Sequence, residues 1–245
     1  MSTLTRKQRE IAAREGLILD TAFELLIERG YLGLTMERIA AGVEYSKGTI
    51  YQHFPNKEEV VAALSIRSAE QRIEMFQRAA TFQGNPRERM TGIGVADDLF
   101  VRLYPHHFQL EKILAMHSLR EKTTESRQQA MDACNTRCFE VLGGIIRDAV
   151  AQGDLTLPAP EAGAELAFGL WSMALGGHLI GSDPNVDIER KMGIENPQAI
   201  LNKSYQLLLD GYGWSPRSTE VDYAEVIERI QNEVFPDEYR RVQGR

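Results

Sequence analysis

Cysteine is nearly absent. The 245-residue chain has only Cys134 and Cys138, which rules out a disulfide scaffold and fits a reducing compartment. The pair stands at i,i+4 spacing on one expected helix, where a bridge would strain the backbone, and no third cysteine completes a metal site. Redox sensing and a plain structural role both stay open for them. Basic charge is also short, with 28 Lys+Arg against 35 Asp+Glu and a formal net charge of -7. That balance excludes a protein that coats nucleic acid over its whole surface, while a local basic face remains compatible with it. No long apolar run exists. The longest uncharged hydrophobic stretch, Leu166 to Gly181, has sixteen residues including four glycines and a histidine, short of the roughly 20 needed for a membrane span. Residues 1–14 are polar and basic without an apolar centre, so no secretory signal is read there. The 9 Pro and 20 Gly exclude a collagen-like or low-complexity chain.

Catalytic signatures are missing as well. There is no glycine-rich phosphate loop, no Gly-x-Ser-x-Gly and no His-Glu-x-x-His. Asp97-Asp98 reads as a solvated helix face. His106, His107, Glu111 and His117 fall in one expected helical region, and His107–Glu111 has a spacing that suits a metal, but solvated or satisfied side chains account for them more simply; His178 is read the same way. The expectation is a non-enzyme with no catalytic residue, no metal and no cofactor.

What is present is an ordinary folded composition, 43% hydrophobic and 26% charged, with apolar residues recurring every three and four positions. The fold expected is all-α. A first helix runs from about Thr5 to Arg29 with Gly30 as its stop. Thr35 caps a very short helix to Ala41, a turn follows near Gly42 to Tyr45, and Ser46 caps another from Lys47 to His53. Asn56 then caps a long helix whose first turn holds Glu58 and Glu59, where the helix dipole favours acids. Further helices are expected over 86–104, 106–122, 124–152, 160–180, 196–212 and 219–234. The divisions expected are 1–57, 58–214 and a C-terminal helical extension, 215–245.

Residues 35–54 carry the chemistry. Two short helices joined by a tight turn make a helix-turn-helix, whose second helix enters the major groove. Ile39, Ala40, Ile50 and Phe54 take the buried faces. The opposite face of the second helix offers Ser46, Lys47, Gly48, Thr49 and Tyr51: one cation, hydroxyls, an aromatic ring and no carboxylate, suited to a polyanion. Thr49 can touch a thymine methyl, and Tyr51, His53 and Lys57 can bond phosphates. Residues 1–14 add Arg6, Lys7, Arg9 and Arg14 against Glu10, an arm that either lies along DNA or is a solvated tail.

At this point the sequence resembles the tetracycline-repressor (TetR) family of bacterial regulators. The likeness lies in Ile18-Leu19-Asp20-Thr21-Ala22-Phe23-Glu24-Leu25-Leu26, Gly30-Tyr31, Thr35-Met36, Ile39-Ala40, Ser46-Lys47-Gly48-Thr49-Ile50-Tyr51 and Phe54-Pro55-Asn56-Lys57-Glu58-Glu59, about a fifth of the chain. The resemblance implies an N-terminal three-helix DNA-binding domain, a divergent ligand-binding domain and a homodimer. It implies that Thr35 sits beside a phosphate, that Lys47, Gly48, Thr49 and Tyr51 face DNA, and that His53 and Lys57 touch the backbone. Arg38, Tyr45 and Gln52 join the DNA-facing candidates. The family usually has Ala-Gly-Val before Ser-Lys-Gly-Thr; here Val43-Glu44-Tyr45 stands there. An acidic residue thus occupies a turn position that favours positive φ, and Tyr45 either fills a core site or points to DNA.

One short recognition helix touches few bases, so a symmetric pair reading two half-sites about 34 Å apart is expected. The dimer surface is assigned to the glycine- and alanine-rich helix 160–180 through Gly163, Ala167, Trp171 and Ala174, and to the next helix through Leu201, Tyr205 and Leu208. An effector cavity is assigned to Phe100, Tyr104, Phe108, His117, Trp171 and Met173. The function expected is a cytoplasmic, homodimeric repressor that binds a palindromic double-stranded operator and is released by a small molecule. The alternative is an all-α ligand-binding or interaction protein that does not read DNA, a reading kept open by Glu44.

Overall fold

The computed structural model describes residues 5–114, 117–181 and 191–244, with side chains set aside at 111, 112, 114, 117 and 118. Its regular elements among the described residues are α-helices: α1 Arg6–Gly33, α2 Met36–Gly42, α3 Lys47–His53, α4 Lys57–Ala80, α5 Pro86–Leu103, α6 Pro105–Leu114, α7 His117–Arg120, α8 Glu125–Gln152, α9 Ala162–Gly181, α10 Pro197–Gly211, α11 Tyr223–Glu233 and α12 Pro236–Gln243. The chain forms two compact units, Met1–Glu70 with His106–Cys134, and Gln71–Pro105 with Asn135–Arg245.

The first unit is built by its caps. Thr5 and Gln8 close a reciprocal capping box at the start of α1. Gly30 adopts φ 66°, breaking α1 where an L side chain would be strained. Thr35 accepts the Arg38 N–H at 3.2 Å to start α2, and Ser46 accepts the Thr49 N–H at 3.1 Å to start α3. Between them the Tyr45 N–H bonds the Ala40 carbonyl and the Glu44 N–H bonds that of Ala41. This is a Schellman closure, normally completed by glycine in the left-handed region. Here Glu44 takes that place, at φ 57°. Gly42 is not the turn's glycine. It stays helical, and a Cβ there would meet Thr21 Cγ2 at 2.5 Å, so it admits α1. The core unites Ile18, Ala22 and Leu26 of α1, Ile39 and Ala40 of α2, Ile50 and Phe54, Val60 and Leu64 of α4, and Leu110 of α6.

In the second unit α5 is the central rod. Asn85 and Glu88 form its capping box, and buried residues cover nearly its whole circumference, against α9, α11 and α12. Arg87 is completely buried. It donates to the Gln206 carbonyl at 3.1 Å and to the Trp214 carbonyl, pairs with Asp210 at 2.7 Å, and lies over the Tyr223 ring. Trp214 and Phe235 are fully buried in the same core. Arg78 fastens the last helix, bonding Glu238 at 2.5 and 3.2 Å and the Val234 carbonyl at 2.7 Å. The residues after Trp214 therefore share this unit's core.

One expectation about a helix face differs from the structure. Asp97 and Asp98 are not a solvated face: Asp98 is 8% exposed, and Asp97 bonds His178 Nε2 at 2.9 Å with Arg72 at 3.7 Å. Because α5 is covered around nearly its whole circumference, its buried polar residues must find partners inside.

Candidate nucleic-acid interface

The buried anchors of α3, Ile50 and Phe54, fix which side of that helix faces outward. Ser46, Lys47, Gly48, Tyr51 and Gln52 are exposed, and Thr49 is half-buried with its hydroxyl 2.9 Å from that of Ser46. Thr35 and Arg38 stand at the start of α2, with the Arg38 guanidinium on the Gly33 carbonyl at 2.5 Å. Tyr45 packs against the core rather than standing free. His53 is turned back to α1, its Nδ1 3.3 Å from Glu15. Lys57 lies over the Tyr31 ring at 4.1 Å and bonds the Tyr31 carbonyl at 3.2 Å. Arg6, Lys7, Arg9 and Arg14 belong to α1 rather than to an extended arm, with Arg6 bridged to Glu10 at 2.9 Å.

The outer face of α3 carries no carboxylate of its own, but α2 brings one beside it. Lys47 Nζ lies 3.1 Å from Glu37 Oε1, with both side chains more than half exposed. The acid comes from α2, ten positions earlier in the chain, and only the crossing of the two helices brings it there.

A second contribution missed in the sequence is made by Glu58 and Glu59. Both are buried. Glu58 accepts the Tyr31 hydroxyl at 2.9 Å and stands 3.8 Å from Lys122. Glu59 accepts the Thr124 N–H and Arg127 Nε, the latter at 3.1 Å, so it serves as an outside cap for α8. Burial alone would raise the Glu59 carboxyl, but the Thr124 and Arg127 donors outweigh it and hold it below the usual range. Asn56 Nδ2 adds a bond to the Lys122 carbonyl at 3.0 Å. The first turn of α4 thus holds residues 122–127 inside the first unit. Paired acids beside an N-cap gave a dipole signal in the sequence, which concealed these tertiary bonds.

Fold and outward face together define a helix-turn-helix protein. Residues 18–64 match the family described as bacterial regulatory proteins, tetR family. The HTH-type transcriptional repressor KstR2 of Mycobacterium tuberculosis is 30% identical over 101 residues, 41% of this chain and 50% of that protein. The chain spans about half the length of the curated relatives it matches. Among solved structures, the TetR family regulator PfmR from Thermus thermophilus superposes with a TM-score of 0.57 at 19% identity, covering 79% of this chain and 97% of PfmR. A SmeT–triclosan complex gives 0.55 at 19% identity, covering 83% and 93%. Residues 18–64 are thus similar to the tetR family of bacterial regulatory proteins, and the chain shares the fold of these solved structures.

The remaining candidates lie as follows. Phe100 is fully buried and Tyr104 partly so, their rings 5.5 Å apart in the second unit's core. Met173 is half-buried. Phe108 is buried in the first unit. The side chains of His117 and Glu111 lie outside the described residues. His107 packs edge-on against Phe23, and its imidazole is pushed down to about 4 by burial and by Arg67. Among the described residues no group of three His, Cys, Asp or Glu is arranged to hold a metal.

The small residues of α9 admit neighbours of the same chain. A Cβ on Gly163 would touch Ile146 and Leu157, and one on Gly177 would strike Leu201 at 2.8 Å. Ala167 is buried, Ala174 and Leu201 half-buried, and Tyr205 and Leu208 pack on the core. Trp171, at 44% exposed, is open, beside Phe168 at 59% and Phe139. Ile200 and Leu207 of α10 are also exposed. None of the helices among the described residues is long and apolar enough to cross a membrane.

Proposed function

We propose that this chain is a cytoplasmic, ligand-responsive repressor that binds a palindromic operator as a homodimer. The observation that carries the reading is the outward ridge from Ser46 to Gln52, held by Ile50 and Phe54 beneath it. In this reading Lys47, Thr49, Tyr51 and Gln52 meet base edges and phosphates, with Thr35 and Arg38 on the flanking backbone. His53 and Lys57 act through α1, since each is already bonded to it.

Homodimerisation is supported by the apolar surface of Phe168, Trp171, Ile200 and Leu207, an unusual concentration for a solvent face. A small apolar effector is supported by the fold shared with the SmeT–triclosan complex. The effector binds the second unit among Phe100, Tyr104 and Met173 and favours a state that does not fit the operator. DNA affinity then falls, and the coupling is reciprocal. The Glu37–Lys47 pair and Glu44 favour the second reading, a ligand-binding protein that does not read DNA.

The test is selection of duplexes from a random pool by the full chain, followed by gel shift at fixed salt. The selected duplex should be palindromic, and Lys47→Ala and Tyr51→Ala should each lose its binding while keeping the wild-type circular dichroism. Both variants binding as tightly as wild type would overturn the assignment of this face.

A further inference from the structure

We propose that Glu37 is a specificity-determining residue, a carboxylate set against Lys47 that suppresses binding to arbitrary duplex and so widens the margin by which the operator is preferred. The inference rests on the DNA-binding reading above. Glu37 is the second residue of α2 and Lys47 the first of α3, and their charged atoms stand 3.1 Å apart at the surface. The positions are pinned: Thr35 caps α2 and Ser46 caps α3, so each side chain starts from a fixed helical turn. Glu37 is held ionised, chiefly by a backbone N–H and then by Lys47.

The consequence follows from what each kind of complex rests on. Sequence-independent binding is almost all phosphate attraction. In such a complex Lys47 must leave Glu37 to meet a phosphate, and Glu37 is then an unpaired anion close to the strand. The ridge from Ser46 to Gln52 has a single cation, so this one acid cancels its whole formal charge. In the specific complex hydroxyl, amide and aromatic contacts to bases share the load, and Lys47 need not be pulled away to the same degree. A repulsive group that weighs on the wrong partner more than on the right one raises specificity while lowering affinity.

The experiment uses the full-length protein and two 30-base-pair duplexes, one of random sequence and one selected by the wild type from a random pool. Fluorescence anisotropy titrations run from about 50 to 300 mM salt, with Glu37→Gln and Glu37→Ala checked for an unchanged melting temperature. On the random duplex both variants should bind about three- to tenfold tighter than wild type at 100 mM salt. Their plot of log affinity against log salt should steepen by about 1.8, the value for two further phosphates neutralised, one per protomer of the dimer. Their preference for the selected duplex over the random one should fall at least threefold. Equal strengthening on both duplexes, or no strengthening on the random one while the wild type binds with a clear salt slope, overturns the role of Glu37 and leaves the DNA-binding reading standing. Failure of the wild type to bind any duplex in a salt-dependent way overturns that reading and this proposal together.

Discussion

Removing the Glu59 carboxylate should loosen residues 122–127 from the rest of the first unit. Glu59 is 3% exposed and takes one N–H from Thr124 and one from Arg127. A hydrogen bond involving a charged group contributes roughly 1.5–3 kcal/mol net, and stripping one partner from a buried pair costs about 3–5 kcal/mol. Arg127 keeps about 29% of its side chain in solvent and can rehydrate, which points to the lower end. Glu59→Ala should therefore cost about 3 kcal/mol, and Glu59→Gln, which retains one acceptor, about 2 kcal/mol. Urea unfolding followed by circular dichroism measures both. A cycle with Arg127→Ala should return a coupling near 1 kcal/mol, and hydrogen exchange at the Thr124 amide should accelerate. The pH dependence has a defined sign. The folded carboxyl lies below its unfolded value of about 4.3, so its contribution is complete above that pH and is lost as pH falls through the folded value. A loss below about 0.5 kcal/mol for Glu59→Ala, or an unchanged acid limb in Glu59→Gln, would refute the reasoning.

Three more outcomes follow from the geometry. Glu44→Gly should stabilise by about 0.5 kcal/mol, the left-handed cost near 1 kcal/mol being partly offset by unfolded-state freedom; Glu44→Gln should change stability little, and a lower melting temperature for the glycine variant counts against the strain. Arg87→Met should cost about 3 kcal/mol or more, because Asp210 and the Gln206 and Trp214 carbonyls lose their shared donor; a neutral result in thermal unfolding would make that arginine dispensable. Trp171→Glu with Leu207→Glu should give a monomer in sedimentation with normal helicity, whereas an unchanged dimer would move the interface elsewhere.

The first unit was the more legible half, for physical reasons. Thr35, Ser46 and Asn56 act on groups within three residues, so capping shows in the local string, and Ile39, Ala40, Ile50 and Phe54 follow from helical period alone. Even the turn's departure at Glu44 could be read, because positive φ is a property of one backbone position. What could not be read depends on contacts distant in sequence. Glu37 meets Lys47 only after two helices cross, and Glu59 meets Thr124 across 65 positions. Asp97-Asp98 resembled a wet face because adjacent acids usually are one, and nothing local says that α5 is enclosed. The glycines of α9 suggested close approach correctly but not the neighbour, which for Gly177 is Leu201 of the same chain. Helix α12 was missed because its stripe is thin, with Val242 its buried residue.

The interleaving of the two units has a bearing on synthesis. Leu110, Thr124 and Arg127 emerge from the ribosome well after α1 to α3, whose unit they help to complete. At about 5–20 residues per second the nascent first unit waits several seconds for its last pieces. A fragment ended at residue 57 or 70 would leave a hole where Leu110 sits and a bare acid at Glu59. The first unit is therefore finished only once translation has passed residue 127, which ties its completion to prior synthesis of residues 71–105 of the second unit.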